Sequence, residues 1–108
     1  MTAGVDQIGA KIGEIETEMK RIDMWQQAPL DPEKYEFHSA FAMDTMAYSQ
    51  WLQFVFIPRV HEAIASNGSF PQQSNVGAQA IREFDGYDEA SGLVTLLCEF
   101  DALIEGRA

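Results

Sequence analysis

Apolar residues at Val5, Ile8, Ile12, Ile15, Met19 and Ile22 recur at alternating steps of three and four, with Lys11, Glu14, Glu16, Glu18, Lys20 and Arg21 on the other faces. That period predicts an amphipathic first helix. Glu16 precedes Lys20 by four residues, the orientation that favours an ion pair, while Gly9 and Gly13 each weaken the first half by about 1 kcal/mol relative to Ala. Fraying is therefore expected from the N-terminus. The heptad-like spacing is too short for a coiled coil, and the stripe is assigned to an intramolecular bundle. Trp25 is expected to close the helix near Ala28-Pro29. Leu30-Asp31-Pro32 should run extended, because each proline biases its predecessor away from helix.

A different pattern begins at Phe41. From there to Ile64 the chain reads FAMDTMAYSQWLQFVFIPRVHEAI, apolar almost all the way round a helical wheel. Asp44 or Thr45 is the expected N-cap of a helix running toward Ser66, with Asn67-Gly68 as its stop signal. Pro58 lies inside it and predicts a kink near Phe54. Between the two helices, Glu33 to Ala40 is open to a short helical turn. Further on, Ser74 is a candidate N-cap for a short helix carrying Val76, Ala80, Ile81 and Phe84, ended by Asp85-Gly86. Asp88 is expected to cap a final helix whose stripe is Leu93, Leu96, Leu97, Phe100, Leu103 and Ile104. No hairpin signal or internal repeat interrupts the series. The prediction is an all-α bundle, one domain over residues 1–108, with about four main helices and a proline-kinked apolar central helix.

The central segment poses the functional question. On the wheel Tyr48, Trp51, Val55, Pro58 and Arg59 fall on one side, with Asp44 and Glu62 at its ends, opposite Met46, Ile57, Val60 and Ile64. Leu52, Phe54 and Phe56 lie between. One reading has neighbouring helices cover every side, as for the central helix of a domain. The other leaves one strip bare, and Asp44, Tyr48, Trp51, Val55 and Arg59 then become candidate partner-binding residues through aromatic and arginine anchors.

Composition narrows the classes. In 108 residues, 46% are hydrophobic, enough for a single core. Seven basic residues against 17 acidic give a net charge of −10, which disfavours direct binding to nucleic acid or anionic lipid. The single cysteine, Cys98, sits in an apolar run typical of a packed thiol, and fits a reducing cytoplasm. No signal-peptide pattern opens the chain, and the longest apolar run is too short to span a membrane. His38 and His61 lack partners at metal-ligand spacing, and the sequence has neither a P-loop, a dinucleotide fingerprint nor a nucleophile elbow. Neither a cofactor nor catalysis is expected.

Two stretches, Phe41-Ala42-Met43-Asp44-Thr45-Met46 and Trp51-Leu52-Gln53-Phe54-Val55-Phe56-Ile57-Pro58-Arg59, resemble the signature of the YqcC-like family of small bacterial proteins. Ser74-Asn75-Val76 is similar to that family's segment before its next helix, and Phe100-Asp101-Ala102-Leu103 to its C-terminal Leu-Asp-x-Leu pattern. Gly77 and Ala78 depart from it, replacing the family's usual proline-containing turn. The resemblance implies an all-α bundle and an association, in genome context and naming, with tRNA pseudouridine synthase C. It does not imply catalysis, since such synthases need a catalytic Asp in an Arg-Leu-Asp-type motif on a large mixed α/β scaffold.

Three functions follow as expectations. The first is a non-enzymatic accessory protein docking on a tRNA pseudouridine synthase, where an acidic chain would favour encounter with a basic RNA-handling enzyme. The second is a small-molecule-binding bundle with Trp25, Tyr48, Trp51 and Phe54 around a cavity. A homodimer built on the same strip about a two-fold axis is the third.

Overall fold

The computed structural model describes residues 4–66, 70–71 and 73–106. Among them the chain is helical, without strands: α1 is Val5–Arg21, α2 covers 48–65, α3 is Val76–Glu83 and α4 is Ser91–Glu105. A 3-10 turn at Pro32–Tyr35 occupies the stretch the sequence left open, and another at Asp88–Ala90 leads into α4.

The stripe of α1 is the core stripe. Ile8, Ile12, Ile15 and Met19 are fully buried, while Val5 at the edge is exposed. Gln7 turns its side-chain oxygen back to accept from the Gly4 N–H at 3.2 Å, and the expected Lys20–Glu16 pair forms at 2.9 Å. The helix stops earlier than the sequence suggested. Asp23 adopts a left-handed φ of 63°, the Met24 N–H donates to the Met19 carbonyl at 2.8 Å and the Asp23 N–H to Lys20 at 3.2 Å. Those two bonds are a Schellman closure, here with Asp in the position that glycine usually takes. Trp25 therefore lies beyond the helix, with the Lys20 ammonium 5.0 Å from its ring centre.

The predicted start of the second helix is also corrected. Residues 41–47 form turns, and α2 begins at Tyr48 after Ala47, whose N–H is capped by the Gln50 side chain at 2.9 Å. Asp44 caps a different element: its carboxylate accepts from the His38 N–H at 2.9 Å and the Ser39 hydroxyl at 3.1 Å. Those donors hold its pKa below the ordinary carboxylate value. Thr45 donates to the Lys34 carbonyl at 2.6 Å, tying this loop to the first 3-10 turn. The stop signal assigned to Asn67-Gly68 lies outside the described residues.

Pro58 is accommodated without breaking the helix. After one α-helical turn, Tyr48–Trp51, the backbone widens to a π-helix over Leu52–Phe56 and returns to α over Ile57–Ala65. The Ile57 N–H reaches back to the Leu52 carbonyl, so one extra residue is taken up just before the proline that cannot donate.

Ser74 is not the N-cap of α3. That position belongs to Asn75, which makes no side-chain cap bond, and the capping oxygens come from Asp101 on α4. Its carboxylate accepts from the Val76 N–H at 3.0 Å, the Gly77 N–H at 2.8 Å and the Ser74 hydroxyl at 2.5 Å. Ile81 turns outward, 57% exposed, and Gly86 ends the segment at a φ of 79° as a turn glycine should. The Asp88 side chain does not cap α4, which starts after the 3-10 turn, and Gly106 closes it in the left-handed region. From the predicted stripe, Leu93, Leu97, Phe100 and Ile104 are buried, while Leu96 and Leu103 are half-buried.

Helix α4 lies against both α1 and α3, and α1 packs on the second half of α2. Lys11 clamps α1 to α4 through Glu99 at 2.8 Å. A cluster of rings fills the space that α2 faces. Tyr48 and Trp51 stack at 5.6 Å, Trp51 and Phe56 likewise, and Phe56 meets Phe100 of α4 edge-on at 5.0 Å. Tilted against Tyr48 at 5.9 Å, Phe84 extends the cluster toward α3.

Candidate functional site

Five residues were expected to share a partner-binding strip, and the structure divides them. Tyr48, Trp51 and Val55 are 3%, 6% and 5% exposed and belong to the core. The Tyr48 hydroxyl donates to the Val76 carbonyl at 2.7 Å, and burial pushes this phenol far above its ordinary range. Asp44 is exposed but committed to its own loop. Of the five, only Arg59 is a charged group exposed on α2, paired with no carboxylate among the described residues. Of the two readings left open for this helix, the covered one describes Tyr48, Trp51 and Val55, while Asp44 and Arg59 stay exposed.

What α2 does present is two grooves that meet at Arg59. One, of ≈ 280 Å³, lies between α2, residues 70–71 and 73–75, and the end of α4, walled by Trp51, Phe56, Arg59, Phe70, Val76 and Phe100. The other, of ≈ 260 Å³, is lined by Tyr35, Phe37, Phe54, Val55, Pro58, Arg59 and Glu62. The π-helical turn matters here, because an inserted residue shifts every later side chain round the axis. A wheel drawn at 3.6 residues per turn misplaces the residues after Phe56 relative to those before Leu52.

The first groove also unites three of the four stretches that carry the family resemblance, all but residues 41–46. Trp51, Phe56 and Arg59 come from the first block, Ser74, Asn75 and Val76 from the second and Phe100 from the third. The hydrogen bonds to Asp101 from the Ser74 hydroxyl and the Val76 and Gly77 N–H groups hold the latter two together behind the wall. Burial pushes the Asp101 carboxyl up from its ordinary value, opposed by the donors of Ser74, Gly77 and Val76. Behind the groove surface, the Trp51 indole nitrogen is buried and has no hydrogen-bond partner among the described residues. A buried donor left unbonded costs about 1–3 kcal/mol.

Asp101, Phe70 and Gln53 were missed as organising residues. Gln53 is buried at 7% exposure and exchanges two 2.8 Å bonds with the Gln26 backbone, pinning the connector to α2. The Asp in Phe100-Asp101-Ala102-Leu103 was the available signal for the first, but its partners lie about a quarter of the chain away. Trp25, Tyr48, Trp51 and Phe54 do not enclose one cavity, since Trp25 borders a third groove with Gln26, Gln50 and Gln53. Among the described residues, no group of three or more His, Cys, Asp or Glu comes close enough to hold a metal ion. No described helix is long and apolar enough to cross a membrane.

The all-α bundle places the chain in a class of small helical proteins, and sequence and fold say which one. The chain belongs to the DUF446 family, whose model, described as tRNA pseudouridine synthase C, matches residues 7–103. The fold is that of YqcC from Escherichia coli, whose solution NMR structure superposes with a TM-score of 0.85 at 23% identity, covering 96% of this chain and 90% of that one. In sequence, an uncharacterised protein of Haemophilus influenzae is 26% identical over 98 residues, 91% of this chain and 92% of that protein. Escherichia coli YqcC is 27% identical over 66 residues, 61% of each chain. A protein of Pectobacterium carotovorum named tRNA pseudouridine synthase C is 31% identical over 67 residues, which are 62% of this chain but 18% of that one.

Proposed function

We propose that this chain is a non-catalytic accessory subunit that docks on a tRNA pseudouridine synthase. The carrying observation is the Pectobacterium relative: a segment similar to this chain forms 18% of a protein bearing the synthase name, and most of that protein lies outside the match. Units joined in one polypeptide are candidates to associate when they occur apart. The net charge of −10 supports this reading, since an acidic surface steers toward a basic, tRNA-handling enzyme. The docking face we assign is the groove of Tyr35, Phe37, Phe54 and Pro58 with Arg59 at its rim, where Tyr35 is 46% exposed. Asp44, in the loop that follows this 3-10 turn, belongs to its outer margin. Val55 also lines this groove, while Trp51 and Tyr48 support the face from the core.

The test is co-elution of the purified chain with a tRNA pseudouridine synthase from the same organism, followed by Tyr35→Ala and Arg59→Glu. Both positions are exposed, so both variants should keep the wild-type melting temperature and lose the complex. Absence of a complex after both mixing and co-expression removes the reading. Light scattering of the chain alone tests self-association through the same face, and a dimeric mass that Tyr35→Ala abolishes would assign that face to a second copy instead.

A further inference from the structure

The groove on the other side of Arg59 has the features of a ligand site. Its walls are apolar and aromatic: Trp51 and Phe56 from α2, Phe70 from the incoming segment, Phe100 and Ile104 from α4. At ≈ 280 Å³ it lies at the small end of the range for small-molecule pockets. Gln73, Ser74 and Asn75 add polar atoms along one edge, and Arg59 brings the charge. Arg59 contributes a guanidinium with no carboxylate partner among the described residues, in a chain that carries 17 acidic side chains. Trp51, 6% exposed, lines the groove, so its indole resonance reports on anything bound there.

An unpaired fork of donors beside an apolar slot matches a carboxylate attached to a compact hydrophobic body. We propose that this groove binds a small monocarboxylic acid with a single-ring or short-chain apolar body, its carboxylate on Arg59 and its body against Phe56, Phe70 and Phe100. The overall negative charge does not forbid a monoanion there, because at physiological ionic strength exposed charges farther than about 8 Å are largely screened. This site goes beyond the docking reading: it uses the opposite side of Arg59 and requires no partner protein.

The experiment is a titration of the isolated chain, followed through the two tryptophan indole N–H resonances in 15N–1H spectra and assigned with Trp25→Phe. The probes are phenylacetate, indole-3-acetate and hexanoate, with phenylacetamide as the uncharged control. At least one acid should shift the Trp51 resonance saturably with Kd near or below about 1 mM, and the amide should bind at least about tenfold more weakly, a difference of about 1.4 kcal/mol. Arg59→Gln, at an exposed position, should keep the melting temperature and reduce the acid to the affinity of the amide. If none of the three acids moves the Trp51 resonance, or if acid and amide bind alike, or if Arg59→Gln leaves acid binding unchanged, the proposal is overturned. Because no synthase is present, this outcome is independent of whether the docking complex forms.

Discussion

Gly77→Ala puts the approach of α3 to α4 under direct test. A Cβ built at residue 77 would stand 2.5 Å from the Cys98 Cα, 2.6 Å from its backbone nitrogen and 2.7 Å from its sulfur. Two of these are backbone atoms of a packed helix and cannot rotate away. Restoring ordinary carbon contacts of about 3.5–4.0 Å requires α3 to move out by about 1 Å. Overpacking of this kind costs about 1–3 kcal/mol. The same displacement pulls on the Val76 and Gly77 N–H bonds to Asp101, now 3.0 and 2.8 Å. Each is a bond to a buried carboxyl group, worth about 1.5–3 kcal/mol when the acceptor is charged. Against this stands a gain of about 1 kcal/mol in helix propensity. The balance is a loss of about 2–4 kcal/mol, which lowers the melting temperature by about 10–25 °C in a domain of this size. Thermal and urea unfolding followed by far-UV circular dichroism measure it. A Gly77→Ala protein that melts at or above the wild-type temperature would show that the two helices are not in backbone contact.

The remaining predictions use the same unfolding assays. Gly13→Ala meets nothing within 4 Å on an exposed helix face and should stabilise the chain by about 0.5–1 kcal/mol; a fall in melting temperature refutes the helical assignment there. Asp101→Asn removes an acceptor from the α3 cap and should destabilise by about 1–3 kcal/mol. Burial raises the Asp101 pKa, so the stabilisation linked to its protonated form is complete below the ordinary value of 3.8 and is lost as pH rises through the folded-state pKa. The stability advantage of wild type over Asp101→Asn should therefore shrink with rising pH, and an advantage that grows contradicts the direction. Tyr48 follows the same sign at high pH: its phenol is raised, so the contribution present below its ordinary pKa of 10.0 is lost as pH climbs beyond it. Wild type should then lose stability faster than Tyr48→Phe above pH 10.0, and parallel curves would mean that the hydroxyl is not buried.

Much of the fold was legible because burial leaves a period in the sequence. The α1 stripe, the α4 stripe and the greasiness of α2 each state which side chains must leave water. Three boundaries were not legible. The stop of α1 depends on Asp23 taking a left-handed conformation, and no glycine announces it. The late start of α2 depends on Asp44 and Thr45 bonding back to residues 34–39 instead of capping a helix ahead of them. Ser74 looked like a cap because its own neighbourhood favours one, while the oxygens that do the capping come from Asp101. Local propensity loses in each case to a bond made elsewhere.

The site shows the same division. Arg59 was readable as a cation on an otherwise apolar helix, and the Trp51 to Arg59 block carried the family resemblance. Whether Trp51 faced water or core was undecidable from the wheel, which assumes 3.6 residues per turn through a segment that folds as a π-helix. By itself, the sequence determined that this is an all-α chain, how its helices are patterned, which face of each is apolar, and that its surface is strongly acidic. Only the tertiary structure decided which helix covers which stripe, that Asp101 closes α3 across 25 residues, and that Trp51, Arg59, Val76 and Phe100 border one groove. The physical reason is that amphipathic periodicity is a property of neighbours along the chain, whereas a cap, a ring cluster or a groove is made by residues whose separation in sequence carries no trace of their meeting.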